Sequence, residues 1–258
     1  RQLAAAHEEI RRLNASLEQA VQERTTELTE ALAEIEGIVQ AVAHHLRSPL
    51  RAMEGYSHLL LTEYAAHLPS PVAKFPEAIG SNARRMAYLV DDLLAFLHLR
   101  RQPLCPSCVD IAAVAREVLD ELIAAQPGRL LQTHVEELPA CQADPALLRR
   151  LLLELLSNAL KFSHDRQPAI ITVGSRPGAE RPDQQVYFVR DNGIGFDARY
   201  ADKLFRLFSQ LNLPEVYEGT GAGLAMALRI AERMDGRIWA ESSPEGGATF
   251  FFSLPLPP

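Results

Sequence analysis

Cysteine is scarce in this chain, with three residues among 258, and an odd number of them cannot form a framework of paired disulfides. Basic residues are outnumbered: 26 Lys and Arg stand against 33 Asp and Glu, for a net charge of -7. That balance leaves no electrostatic footprint for a polyanion, so nucleic acid is not an expected partner. Long apolar runs are missing as well. None approaches the ~20 residues of a membrane helix, and the N-terminus lacks the apolar core of a signal peptide. No membrane span is therefore expected within this fragment, and a cytoplasmic location is. The chain opens on Arg1 in mid-helix pattern, not on Met, so an upstream sensor domain is expected to be missing.

Glycine and proline are nearly absent from the first 66 residues, where only Gly37, Gly55 and Pro49 occur. What fills that stretch is helical. The positions Ile10, Leu13, Leu17, Val21, Arg24, Leu28 and Leu32 are spaced 3, 4, 4, 3, 4, 4, an 11-residue repeat in which Arg24 takes one apolar place. Such a repeat belongs to a nearly straight or slightly right-handed coiled coil. From Leu32 the spacing becomes a heptad through Ile35, Val39, Val42 and Leu46, as in a left-handed coil or four-helix bundle. A helix of over 40 residues is a rod of about 60 Å that only a partner can cover, which predicts a parallel homodimer. Pro69, Pro71 and Pro76 end the pattern, and a second helix follows with Ile79, Ala83, Met86, Val90, Leu93 and Leu97 on one face. The boundaries expected are a signalling coiled coil over 1–31, a helical hairpin over 32–103 and an α/β domain over 107–258.

Within the first helix, AVAHHLRSPL sets two histidines side by side. With Leu32 at heptad position a, His44 falls at f and His45 at g, so His44 faces away from the seam. Cys105-Pro-Ser-Cys108 has the spacing of half a zinc site or a redox dithiol, but Cys141 stands alone and no further ligands match. The pair is expected in a linker beside Pro103 and Pro106.

Past residue 107, short strands alternate with helices. Asp144, as N-cap, and Pro145 open a helix whose Leu148, Leu152, Leu155, Leu156 and Ala159 share one face. Glu154, Asn158 and Lys161 line another: a carboxylate, an amide and an ammonium on one stripe suit a metal ion and a phosphate chain, though a solvated polar face reads the same way. QVYFVRDNGIGFD is a strand ending in Asp191-Asn192-Gly193, which is also a strong hairpin signal. In EGTGAGLA, Gly219, Gly221 and Gly223 lead into a helix, where free N–H groups attract phosphate. Neither cluster fits a dinucleotide fingerprint or a P-loop.

In this order the segments resemble the transmitter region of sensor histidine kinases, of the type joined to PAS or phytochrome sensors. HHLRSPL is similar to the family's H box, ELLSNALKFS to its N box, DNGIGFD to G1, KLFRLFSQL to the F box and GTGAGLA to G2. The resemblance implies an α+β protein: an N-terminal coiled coil and helical hairpin, pairing as a dimeric four-helix bundle, followed by an α/β sandwich ATP-binding domain of the gyrase and Hsp90 type. It implies ATP and Mg²⁺ as cofactors, His44 as phosphoacceptor with His45 beside it, and a response regulator receiver domain as partner. Asn158 would ligate Mg²⁺, Lys161 contact phosphate and Asp191 bond the adenine amino group. Gly193, Gly195, Gly219, Gly221, Gly223 and Leu224 would line the nucleotide, and Ser209 to Glu218 would cover it. Three positions depart from the usual pattern: His45 replaces an acidic residue, Ser48 a Thr or Asn, and Glu154 an Asn whose place a water-activating Glu takes in the related ATPases. Besides an autophosphorylating kinase, a nucleotide-binding relay without autokinase activity and a plain ATPase remain open at this stage.

Overall fold

The computed structural model describes residues 2–64, 68–69, 72–99, 102–178, 181, 183–210, 219–242 and 246–257, with the backbone alone for 2–6. Arg1, Pro71 and residues 211–218 of the expected nucleotide cover lie outside the described residues. The chain divides into two compact units, Arg1–Leu94 and Ala95–Pro258.

In the first unit, helix α1 (Gln2–Glu63) is followed by α2, which begins at Phe75 and ends at His98. Pro76 lies inside the first turn of α2, where a missing N–H is no loss, so it starts this helix instead of breaking it. α1 continues through Pro49. Having no N–H, Pro49 leaves the carbonyl of His45, four residues earlier, without its helical donor.

The two helices pair antiparallel, held by Arg47–Asp91 at 2.7 Å, Arg84–Glu54 at 3.5 Å and a hydrogen bond from Ser57 Oγ to the Pro76 carbonyl. The residues buried along the pair are Glu36, Ala43, Leu50 and Ser57 of α1, every seventh residue, and Pro76, Gly80, Ala83 and Leu94 of α2. Gly80 is required there, because a Cβ would stand 2.5 Å from Ser57 Oγ. Part of the heptad's own apolar set is left outside this seam: Ile35 and Val42 are 56% and 51% exposed, whereas Leu32 and Val39 are half-buried. The α2 face expected from sequence divides likewise, with Ala83 buried and Ile79 and Met86 exposed. No helix among the described residues is long and apolar enough to cross a membrane.

The second unit carries β1 (Ser107–Val109), α3 (Ile111–Ala124), β2 (Leu131–Val135), β3 (Cys141–Ala143), α4 (Pro145–Phe162), β4 (Ala169–Pro177) and β5 (Gln184–Asp191). After these come a short 3₁₀ turn, α5 (Ala201–Leu204), α6 (Gly223–Arg233), β6 (Ile238–Ser242) and β7 (Ala248–Pro255). The main sheet has the order β2-β4-β5-β7-β6, parallel between β2 and β4 and antiparallel elsewhere. The fold is the expected layered α/β sandwich, with a core in which Leu148, Leu152, Leu155 and Leu156 of α4 are wholly buried with Ile171, Tyr187 and Phe252 of the sheet. Each such side chain contributes roughly 1.5–3 kcal/mol of transfer free energy. Asp144 caps α4 as its sequence suggests, accepting from the N–H groups of Ala146 and Leu147.

Cys108 is not in a linker. It sits in β1, paired antiparallel with β3, where Cys108 lies opposite Gln142 and Val109 opposite Cys141. Alternation therefore puts Cys108 and Cys141 on opposite faces of that pair. Burial pushes the Cys141 thiol up to about 12, which leaves it unreactive.

Candidate nucleotide and phosphoacceptor sites

Because α6 packs against α4, the polar stripe of α4 meets the glycine loop that opens α6. A Cβ on Gly223, the first residue of α6, would collide with Glu154 Oε2. Glu154 is paired with Arg150, one turn earlier, at 2.6 Å, and its side chain is 14% exposed. One turn past Asn158, Lys161 Nζ stands 2.8 Å from where a Cβ on Gly219 would lie. Gly221 adopts φ +80°, a left-handed conformation, and a Cβ there would meet the Ser209 carbonyl at 2.6 Å. The stripe and the glycines thus form the two walls of one site. Asn158 is half-buried between them, and its amide makes no hydrogen bond among the described residues.

The third wall is the loop after β5. Asn192-Gly193 does not turn a hairpin, since β5 is flanked by β4 and β7. Instead the loop folds onto the C-terminal end of α4: Ile194 N donates to the Phe162 carbonyl at 3.1 Å, and Gly193 packs against that same carbonyl. Gly195 follows at φ +64°. Asp191 is 4% exposed. Its Oδ1 accepts from Gly193 N at 2.8 Å and Ala248 N at 3.2 Å, and neither bond engages Oδ2. Burial pushes this carboxyl up to about 6, the two hydrogen bonds pulling it down only in part. Asn192 has a different task. Its Oδ1 accepts from Ile170 N at 2.9 Å and its Nδ2 donates to the Pro168 carbonyl at 3.1 Å, pinning the start of β4.

Leu224 is half-buried and packs against the core beneath α6. Sequence reasoning missed Arg150, Arg166 and the turn before β7. Arg166 donates to the Gly193 carbonyl at 3.1 Å. Gly247, at φ +80°, packs on the Asp191 carbonyl so closely that no side chain fits, and Ala248 supplies the second N–H to Asp191. The Gly246-Gly247 pair was a signal for that turn, and the spacing of Arg150 and Glu154 one for a helical ion pair.

In the first unit, His44 and His45 are both exposed, with ring centroids 5.7 Å apart and planes at 74°. Neither ring makes a hydrogen bond or ion pair among the described residues.

A polar stripe walled by glycine loops and a buried carboxylate, on a chain that also presents an exposed histidine on a paired helix, defines a class of signalling protein. Residues 34–102 match the His Kinase A (phospho-acceptor) domain, and residues 143–258 match the histidine kinase-, DNA gyrase B- and HSP90-like ATPase family. The chain belongs to the transmitter regions of sensor histidine kinases. It is 31% identical over 89% of its length to the phytochrome-like protein Cph1 of Synechocystis sp., covering 30% of that protein. To the methanogenesis regulatory histidine kinase FilI of Methanothrix harundinacea it is 34% identical over 92% of its length, covering 26% of that protein. Among solved structures it resembles full-length ShkA in complex with AMPPNP, with a TM-score of 0.60, 26% identity, 84% of this chain covered and 45% of that one. The chain thus spans about 30% of the length of the first curated relatives it matches.

Proposed function

We propose that this chain is an ATP-dependent protein-histidine kinase that phosphorylates itself on His44 and passes the phosphoryl group to an aspartate of a response regulator receiver domain. The observation that carries the reading is the convergence of Asn158 and Lys161 with Gly219, Gly221 and Gly223 beside the buried Asp191. An adenine amino group would donate to the unengaged Oδ2 of Asp191. Lys161 and the N–H groups opening α6 would hold the phosphate chain. Asn158, whose amide makes no hydrogen bond among the described residues, would hold Mg²⁺ with the nucleotide's own oxygens, and the ion would neutralise charge on the transferring phosphoryl group.

In the transfer, one ring nitrogen of His44 bonds to the γ-phosphorus as the bond to the β-phosphate oxygen breaks and ADP leaves. The exposed position of His44 leaves that nitrogen open to attack in line. The apolar face left by Ile35, Val42, Ile79 and Met86 suits a second copy of the chain, giving a dimeric four-helix bundle. An upstream sensor joined through α1 and a cytoplasmic location belong to the same reading. The expected division at 1–31, 32–103 and 107–258 is retained as part of it.

Incubation with γ-labelled ATP tests the proposal. Label should appear on wild type and His45→Gln, be lost in His44→Gln, and be released by acid but not by alkali, as a phosphoramidate is. Label released only as free phosphate would instead identify an ATPase, and bound nucleotide without any label a relay.

A further inference from the structure

The helices cover one face of the main sheet. On the other face lies a cleft of about 700 Å³, and its lining residues come from one end of the sheet only. Its floor includes Val186 of β5 and Ser253 of β7. One wall carries Arg176 near the end of β4 and Arg181 from the β4–β5 connection, the opposite wall Arg237 and Trp239 at the start of β6. The volume is that of a small-molecule site.

Two properties of the lining restrict what fits. The first is a row of rings: Trp239 stacks on Phe251 at 5.3 Å with planes 12° apart, and Phe251 lies beside Phe188. β6 is the edge strand, so no further strand lies beside Trp239, and the Arg176 guanidinium lies 6.0 Å over its ring. The second is charge. Three arginines line the cleft in a chain whose net charge is -7. The Arg176 group lies 4.2 Å over the Phe251 ring. Two carboxylates stand nearby, Glu241 at 3.8 Å from Arg176 and Asp235 at 3.8 Å from Arg181. Both are loose surface pairs, which hold a guanidinium weakly and leave its forked donors available to an anion.

We infer that this cleft is a second ligand site, taking a small molecule that carries a planar ring and an anionic group. The ring extends the Trp239–Phe251 stack and the anion meets Arg176, Arg181 and Arg237. This site is separate from the one that holds Asp191. β5 runs from Gln184 in the cleft to Asp191 at the glycine loops, and seven residues of strand span roughly 23 Å. The two ends also use opposite faces, because Val186 and Phe188 point outward while Tyr187, Val189 and Asp191 point toward the helices.

The chain has a single tryptophan, which makes the test direct. Protein labelled with 5-fluorotryptophan gives one ¹⁹F resonance, which is followed during titration with 1-naphthyl phosphate, 1-naphthol or inorganic phosphate. Naphthyl phosphate should shift it saturably, with a dissociation constant at least tenfold below those of the other two. Saturating Mg-ATP should not compete. Arg237→Gln, at an exposed position, and Arg176→Gln, which also packs on Phe251, should each weaken binding about tenfold while the unliganded resonance of Arg237→Gln stays in place. A resonance that does not respond, an equal response to naphthol, or unchanged affinity in Arg237→Gln would overturn the inference. So would a response to poly-glutamate alone, which would assign this face to an acidic protein partner.

Discussion

Replacing Asp191 by asparagine should make the second unit more stable and less able to bind nucleotide. Burial raises this carboxyl from its ordinary value of 3.8 to about 6, so its ionised form is the disfavoured one in the folded state. The folded protein then holds a proton that the unfolded chain has released between about pH 4 and 6. Stability contributed by Asp191 is fully present below pH ~4 and lost as pH rises through about 6. The gap between the two values corresponds to roughly 3 kcal/mol, an upper bound on the strain present at pH 8. Asparagine keeps an oxygen for the N–H groups of Gly193 and Ala248 and carries no charge. Its weaker hydrogen bonds give back about 1 kcal/mol, leaving a net gain of ~1–2 kcal/mol at pH 8 that vanishes toward pH 4.5. For a unit of this size that is ~2–8 °C in Tm. Urea unfolding followed by Trp239 fluorescence, which reports on this unit alone, measures the gain at each pH. Mg-ATP affinity should fall at least ~10-fold, because a charged acceptor for the adenine amino group is gone. If Asp191→Asn is less stable than wild type at pH 8, or its gain does not depend on pH, burial is not what governs this carboxyl.

Asn158→Ala should abolish Mg²⁺-dependent ATP binding, measured by calorimetry with and without the ion, while the unit's unfolding free energy in urea changes by no more than the ~1 kcal/mol expected for a half-buried amide that makes no hydrogen bond among the described residues. Gly223→Ala should push the Glu154 carboxylate aside and set a methyl group beside the N–H groups that open α6, weakening ATP binding by about tenfold; unchanged affinity would show that α6 does not contact the nucleotide. His45→Asp should raise the initial rate of His44 labelling, because a carboxylate can stabilise charge developing on the neighbouring imidazole, whereas the His45 ring makes no hydrogen bond to it; a slower variant would mark His45 as an adaptation of its own.

The sequence was most legible where one residue type has one physical use. The α4 stripe could be read because 100° per residue separates buried leucines from Glu154, Asn158 and Lys161 without reference to anything else. Asp144 could be read as a cap for the same local reason. Asn192-Gly193 misleads when read alone, since the signal for a tight turn is also the signal for a backbone that must approach a helix end closely. The partner that decides between them is the Phe162 carbonyl, some thirty residues away. Arg166 and Ala248 were out of reach because they act on other residues of the site across the fold, not through a motif of their own.

Pattern alone also assigns the wrong neighbours. The heptad of α1 is visible at once, and it would be natural to give its apolar residues to α2. Yet the residues of α1 that are buried lie one step away, at Glu36, Ala43, Leu50 and Ser57, where the small Ala43 and Ser57 let the helices approach. The larger apolar residues are left for something else to cover, so apolar strength marks where a surface must be buried but not by which chain. A similar limit applies to β5. QVYFVRD is apolar at consecutive positions, as a strand covered on both faces would be, and helices cover only one. On the other face Val186 and Phe188 are buried in a cluster with Phe251 and Trp239, where Arg176 lies over Phe251 and Arg190 over Phe188. An arginine stem can shield a ring while its charged head stays in water. That arrangement keeps a single-layered sheet soluble, and it sets guanidinium groups beside the open cleft at Trp239.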